Sequence, residues 1–191
     1  MKKLIMSLLI SSAVLSISFG VPNIVKASET DSSNTEEIEF STLTAEEKTH
    51  FENEGFTDEN EYFSSTIVQL PEPGTETGLP TRAARAVLNV ITIRASTKRE
   101  NSTTGYTSYI ITASKAPFLK LDTKITYGSK SRSSSVIPYG KPYVYNGGVY
   151  FTNTGKATYY KCKVASQYTT SMGVGTAFCS AGSVTLGKGS L

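Results

Sequence analysis

The chain has 191 residues, with 19 Lys or Arg, 16 Asp or Glu, a single histidine and a formal net charge of +3. Residues 28–85 hold fourteen acidic and three basic residues, a net of −11, whereas residues 86–191 hold thirteen basic and two acidic residues, a net of +11. The basic half has no histidine, which excludes a Ser-His-Asp or Cys-His catalytic site within it. Its only carboxylates are Glu100 and Asp122, which argues against a glycosidase that uses a pair of carboxylates.

The N-terminus has the pattern of a secretory signal peptide. Lys2 and Lys3 precede an apolar run over residues 4–19, and small residues at Val25 and Ala27 form a cleavage site before the next residue, a serine. A retained membrane anchor is the alternative, but the run is too short to span a bilayer comfortably. The sequence therefore predicts a signal peptide over residues 1–27 and a secreted, extracellular product of Gram-positive bacterial type without a transmembrane anchor.

Residues 28–85 form an acidic leader or pro-segment that we expect to be mostly disordered or weakly helical. Thr44 and Glu47 have capping-box spacing, which predicts a short helix over residues 45–54. Gly55 fits the left-handed position after that helix. Residues 64–69 have the composition of a short strand, and a Pro/Gly-rich linker follows them.

The join between the two halves contains Arg82-Ala83-Ala84-Arg85, which resembles the R-x-x-R site of subtilisin-like proprotein convertases. Three interpretations stay open. A protease cuts after Arg82 or Arg85 and releases a leader that masks the cationic surface in cis, or the leader is an uncleaved acidic tail. In the third, residues 64–69 pair permanently with the sheet of the following domain.

Residues 86–191 predict a single antiparallel β-sandwich of about seven or eight short strands. Residues 86–96 are apolar on both sides, which indicates a strand covered on both faces. Residues 117–127 alternate, and we expect Leu119 to point inward and Lys120 outward. The Asn146-Gly147-Gly148 sequence predicts a hairpin turn.

Two cysteines, Cys162 and Cys179, predict one disulfide in an oxidising compartment, with buried free thiols as the alternative. A metal site is not expected, because no histidine follows His50. The sequence shows no motif for a cofactor.

The positive evidence for function is the excess of lysine and tyrosine in the basic half. Such a surface suits anionic polymers, glycans or lipid headgroups, whereas nucleic acid is not expected after export. The alternative is that exposed lysines only keep strand faces soluble and block edge pairing. The predicted binding residues are Lys120, Lys124, Lys130, Arg132, Lys141, Lys161, Lys163, Tyr143, Tyr145 and Tyr159.

Two non-enzymatic hypotheses follow, and no catalytic residue is assigned in either. The first is a secreted cationic effector, antimicrobial or toxin-like, made as a precursor whose acidic leader masks it. The second is an extracellular glycan-binding or cell-wall-binding module with an uncleaved acidic tail. A Ser-Lys dyad stays open as an enzymatic alternative, since serine and lysine are both abundant.

Overall fold

A computed structural model describes residues 35–57, 62–70, 89–140 and 142–189. Over these residues the chain forms nine β-strands, one α-helix and one short 3-10 helix, at residues 40–42. The elements, in chain order, are β1 (Glu36–Ile38), α1 (Ala45–Asn53), β2 (Phe63–Leu70), β3 (Asn89–Arg99), β4 (Thr104–Ala113), β5 (Phe118–Tyr127), β6 (Lys130–Val136), β7 (Val144–Thr152), β8 (Thr158–Thr170) and β9 (Gly173–Leu186).

The strands form two antiparallel sheets, which confirms the predicted all-β sandwich. Sheet A has the order β1-β2-β3-β4-β7, and sheet B has the order β6-β5-β8-β9. Their inner faces meet in one apolar core, which buries Ile91, Ile93 and Ile111 from sheet A against Leu121 and Val164 from sheet B.

Strands β1 and β2 belong to sheet A. Strand β2 pairs with β3 over eight positions, from Phe63 opposite Ser96 to Leu70 opposite Asn89, and β1 pairs with β2. This pairing matches the third interpretation of the join, in which residues 64–69 pair with the sheet of the following domain. The described part of the acidic leader is therefore folded into the sheet, which differs from the expectation of a mostly disordered or weakly helical segment. The predicted signal peptide, with Ala27, and the Arg82–Arg85 site lie outside the described residues.

Helix α1 confirms the helix predicted from the capping box. The Thr44 hydroxyl accepts a hydrogen bond from the Glu47 amide, and the Glu47 carboxylate accepts one from the Thr44 amide at 2.8 Å. Gly55 has φ of 75°, which ends the helix and brings the rings of Phe51 and Phe56 to 5.6 Å.

The helix and the segment before it cover the outer face of sheet A. A second apolar cluster forms there between the helix segment, β2 and β4, and the side chains of Phe51, Phe56 and Ile110 are fully buried in it. This third layer explains the apolar residues Tyr106 and Ile110 on the outer side of β4. The outer side of β3 is covered as well, and there Arg94 and Lys98 make polar contacts with the helix segment. The cluster consists of Leu43, Phe51, Phe56, Phe63, Tyr106 and Ile110.

The predicted turn at residues 146–148 is wrong, because β7 runs through it without interruption. Gly147 lies opposite Tyr109 and Gly148 opposite Ser108 on β4. A Cβ atom at Gly147 would lie 2.8 Å from the Tyr109 hydroxyl, and one at Gly148 would overlap the hydroxyl of Tyr106. The two glycines therefore leave room for tyrosine rings that cross the strand.

The inward direction predicted for Leu119 is also wrong. Strand β5 has a register shift between Phe118 and Lys120 where it pairs with β8. This bulge buries Phe118 and leaves Leu119 51% exposed. Lys120 and the alternating positions after it keep their predicted directions.

The predicted disulfide is wrong, because Cys162 and Cys179 are both free and buried. Cys179 lies opposite Val164, so Cys162 is its diagonal neighbour across β8 and β9. Diagonal residues have Cα atoms about 7–8 Å apart, beyond the reach of an unstrained disulfide. Burial raises the pKa of both thiols, that of Cys179 to about 11, and the Cys179 Sγ lies 3.0 Å from the hydroxyl of Ser64.

Candidate functional site

The outer face of sheet B carries the largest group of predicted binding residues. In the register of β5 with β8, Lys124 is opposite Ala165 and Thr126 is opposite Lys163, and Ala165 is in turn opposite Phe178 on β9. Residues opposite one another in an antiparallel sheet project from the same face. We call this surface the lysine face, and it consists of Lys120, Lys124, Lys161, Lys163, Tyr159 and Phe178.

Aromatic side chains lie among the lysines of this face. Phe178 is 55% exposed and Tyr159 is 59% exposed, and the Tyr159 hydroxyl donates to the Ser183 hydroxyl at 2.8 Å. A flat sheet surface with solvated ammonium groups and open ring faces offers charge and stacking surface to an extended anionic chain.

Asp122 is the one acid on the described part of this face. Its carboxylate lies 2.7 Å from the Lys120 Nζ, and hydrogen bonds from Lys120 and then from Ser135 lower its pKa. Asp122 is therefore ionised at neutral pH and offsets the charge of Lys120. Lys124, Lys161 and Lys163 have no acidic partner within ion-pair distance among the described residues.

The other predicted binding residues lie elsewhere. Lys130 and Arg132 are on the edge strand β6, opposite Tyr127 and Ile125, so their side chains project from the inner side of sheet B. Arg132 lines a cleft of about 170 Å³ between the open edges of the two sheets, together with Tyr145. The exposed Tyr143 precedes β7 at one end of the sandwich, and Lys141 lies outside the described residues.

The outer face of sheet A differs in charge, because acidic groups of the helix segment meet basic groups of β3 there. The Glu47 carboxylate lies 2.7 Å from the Arg94 Nε, with both side chains largely buried. The Lys98 Nζ donates to the carbonyl groups of Glu54 at 2.7 Å and Gly55 at 3.1 Å. Because breaking a buried pair leaves an unpaired buried charge, these contacts fix the helix on the sheet.

His50 of α1 and Ser108 of β4 form a contact that the sequence analysis missed. The His50 Nε2 and the Ser108 Oγ are 2.9 Å apart, although the sequence had placed the histidine in a separate leader. Ser108 is fully buried, so its hydroxyl is not presented to a substrate and instead holds the helix on the sheet. No local signal predicts the contact, because the two residues are 58 positions apart in the chain.

We expect His50 to make stability depend on pH. Burial lowers the pKa of His50 below its ordinary value of 6.5, against a smaller opposing effect of Glu54. The folded state therefore holds the neutral imidazole, and the resulting stability is present above about pH 6.5 and declines as the pH falls toward the lowered folded-state pKa. Urea unfolding of the wild type should show a lower free energy of unfolding at about pH 5.5 than at about pH 7.5, before most carboxylates titrate.

The control for this prediction is His50→Gln, which keeps a neutral hydrogen-bonding side chain at the same position. The variant should lose most of the difference in stability between the two pH values. An equal difference in wild type and variant would assign the pH dependence to other groups.

No metal centre is indicated, since no group of three or more His, Cys, Asp or Glu side chains comes together within the described ranges. Among the same residues no helix is long and apolar enough to cross a membrane. Comparisons with protein-family models, with curated proteins and with solved structures gave no match to this chain.

Proposed function

We propose that the protein is a secreted, non-enzymatic binding domain that holds anionic cell-envelope polymers or acidic glycans on the lysine face. The observation that carries the proposal is the shared face of Lys124, Lys161 and Lys163, which sheet B presents next to Phe178 and Tyr159. A polymer of regularly spaced phosphate or carboxylate groups has the charge and the extended shape to follow such a surface.

The position of the acidic residues supports a binding module more than a masked effector. The Glu47 carboxylate pairs with Arg94, and the backbone carbonyl of Glu54 accepts from Lys98, both on the outer face of sheet A. Both contacts lie on the opposite side of the sandwich from the lysine face. The described part of the leader therefore leaves the lysine face open, and a masking role would have to come from residues outside it.

The test is a matched pair of double variants that remove the same charge from different places. Lys124→Gln with Lys163→Gln removes two charges from the lysine face. Lys115→Gln with Lys188→Gln removes two exposed charges from a loop and from the C-terminal segment. At roughly 0.5–1 kcal/mol per exposed ion pair, the first variant should bind wall teichoic acid about 5–30-fold more weakly, and the second should bind nearly as the wild type does.

Binding is measured by calorimetry or co-sedimentation with purified wall teichoic acid, with neutral dextran as the negative control. Affinity should fall steeply between about 0.05 and 1 M salt, since the Debye length shrinks over that range to about 3 Å. Equal losses in both double variants would show a non-specific effect of net charge, and salt-independent binding would contradict the electrostatic basis.

A further inference from the structure

Four large apolar or aromatic side chains are exposed together at one end of the sandwich. The exposed fractions are 51% for Leu119, 53% for Ile137, 86% for Tyr139 and 44% for Tyr143. We call these four residues the tip surface. Single exposed apolar residues are ordinary on soluble proteins, whereas a cluster marks a surface that another apolar phase covers.

Backbone hydrogen bonds place the four residues at the same end. The connection between β6 and β7 passes from sheet B to sheet A there. The Phe118 amide donates to the Pro142 carbonyl at 2.6 Å, and the Ala113 amide donates to the Tyr143 carbonyl at 2.8 Å. Leu119 follows Phe118 directly and points outward because of the bulge in β5.

The connection between β6 and β7 projects away from the sandwich at Tyr139 and Gly140. Gly140 has φ of 80°, and a Cβ atom built there would meet no described atom within 4 Å apart from its chain neighbours. Ile137 and Tyr139 precede it and are exposed by more than half. This protruding segment presents its apolar groups without any rearrangement of the sheets.

The described charges at this end are mainly positive. Among the described residues, the strand ends and connections there carry Lys115 and Lys120 against Asp122, a net charge of +1. Lys115 is exposed, and Lys120 is paired with Asp122 at 2.7 Å. Lysines around exposed Leu, Ile and Tyr side chains match an anionic bilayer interface, where tyrosine lies at the headgroup level and aliphatic groups enter the acyl boundary.

We propose that the tip surface inserts into the interface of a lipid bilayer that contains anionic lipids. Leu119 and Ile137 enter the acyl boundary, Tyr139 and Tyr143 lie among the headgroups, and Lys115 contacts lipid phosphates. This site differs from the lysine face, which needs only charge and no apolar phase, so the inference does not rest on the proposed function.

The first test uses the absence of tryptophan from the chain. Tyr139→Trp introduces a single tryptophan at the tip, and Tyr150→Trp, at a position 58% exposed on β7 and outside the lysine face, is the matched control. With vesicles of mixed phosphatidylglycerol and phosphatidylcholine, the emission of the first variant should shift to shorter wavelength and be quenched by brominated lipids, while the second should change little. An unshifted emission at position 139 on vesicle-bound protein overturns the proposal. The proposal is also overturned if the tryptophan at position 139 emits at short wavelength before vesicles are added. Another part of the protein or a second copy would then cover the tip.

The second test separates apolar insertion from charge. Ile137→Ser with Tyr139→Ser should lower partitioning onto these vesicles about tenfold, because the apolar area no longer leaves water. Ile67→Ser is the matched control, because Ile67 is 57% exposed on β2. This variant should bind the vesicles as the wild type does. If the tip variant binds normally and Lys124→Gln with Lys163→Gln does not, the lysine face alone holds the membrane, and the inference fails while the proposed function stands.

Discussion

Replacing Phe51 with alanine should lower the free energy of unfolding of the whole protein by about 3–5 kcal/mol. The ring is fully buried and contacts Phe56 at 5.6 Å and Phe63 at 5.1 Å between centroids. Its removal leaves a cavity between α1, β2 and the outer face of sheet A. Because β2 is paired along its whole length with β3, we expect the loss to appear in the unfolding of the whole molecule. Urea denaturation followed by circular dichroism measures the change.

Glu52→Ala is the matched control for Phe51→Ala, since Glu52 is the next residue of the same helix and is exposed. It should change the free energy of unfolding by about 0.5 kcal/mol or less. If Phe51→Ala also changed stability this little, the helix would be a peripheral attachment and not part of the folded unit.

A protein cut after Arg85 should remain a complex of its two pieces. The N-terminal piece contributes the buried side chains of Leu43, Phe51, Phe56 and Phe63 to the second apolar cluster. At about 1.5–3 kcal/mol for each, their burial is worth roughly 6–12 kcal/mol, as much as the stability of a typical domain. Size-exclusion chromatography after limited trypsin digestion should show both pieces in one peak, and urea should separate them.

The same reasoning predicts that residues 86–191 expressed alone do not fold. Co-expression with residues 28–85 as a separate chain should restore the soluble complex. A stable, monomeric 86–191 fragment with the thermal midpoint of the whole protein would contradict this prediction and favour a removable leader.

Local signals in the sequence were sufficient for strands β3 and β5 and for the helix. Alternation along residues 89–99 and 118–127 follows from the two-residue period of a strand, and the capping box of α1 lies within four consecutive residues. Lys161 and Lys163 could be assigned to one strand face for the same reason. The lysine face was therefore predictable strand by strand.

The errors have a common physical cause, which is contact between distant parts of the chain. Gly147 and Gly148 favour a turn locally, but the tyrosine rings of β4 require glycine beside them in a continuous strand. The disulfide prediction had no information on the register of β8 with β9, which places Cys162 and Cys179 diagonally. Tyr145 is in the other sheet from the lysines with which it had been grouped, because nothing local assigns a strand to a sheet.

The separation of acidic groups on the helix side from lysines on the outer face of sheet B gives the molecule an electric dipole perpendicular to its sheets. Near a polyanionic polymer layer this dipole exerts a torque that turns sheet B toward the polymer before contact. A layer of bound molecules would then present helix α1 and its glutamates to the medium. The coated surface would keep a negative outer charge, so the lysine faces of further copies would be attracted to it and binding would continue beyond a single layer.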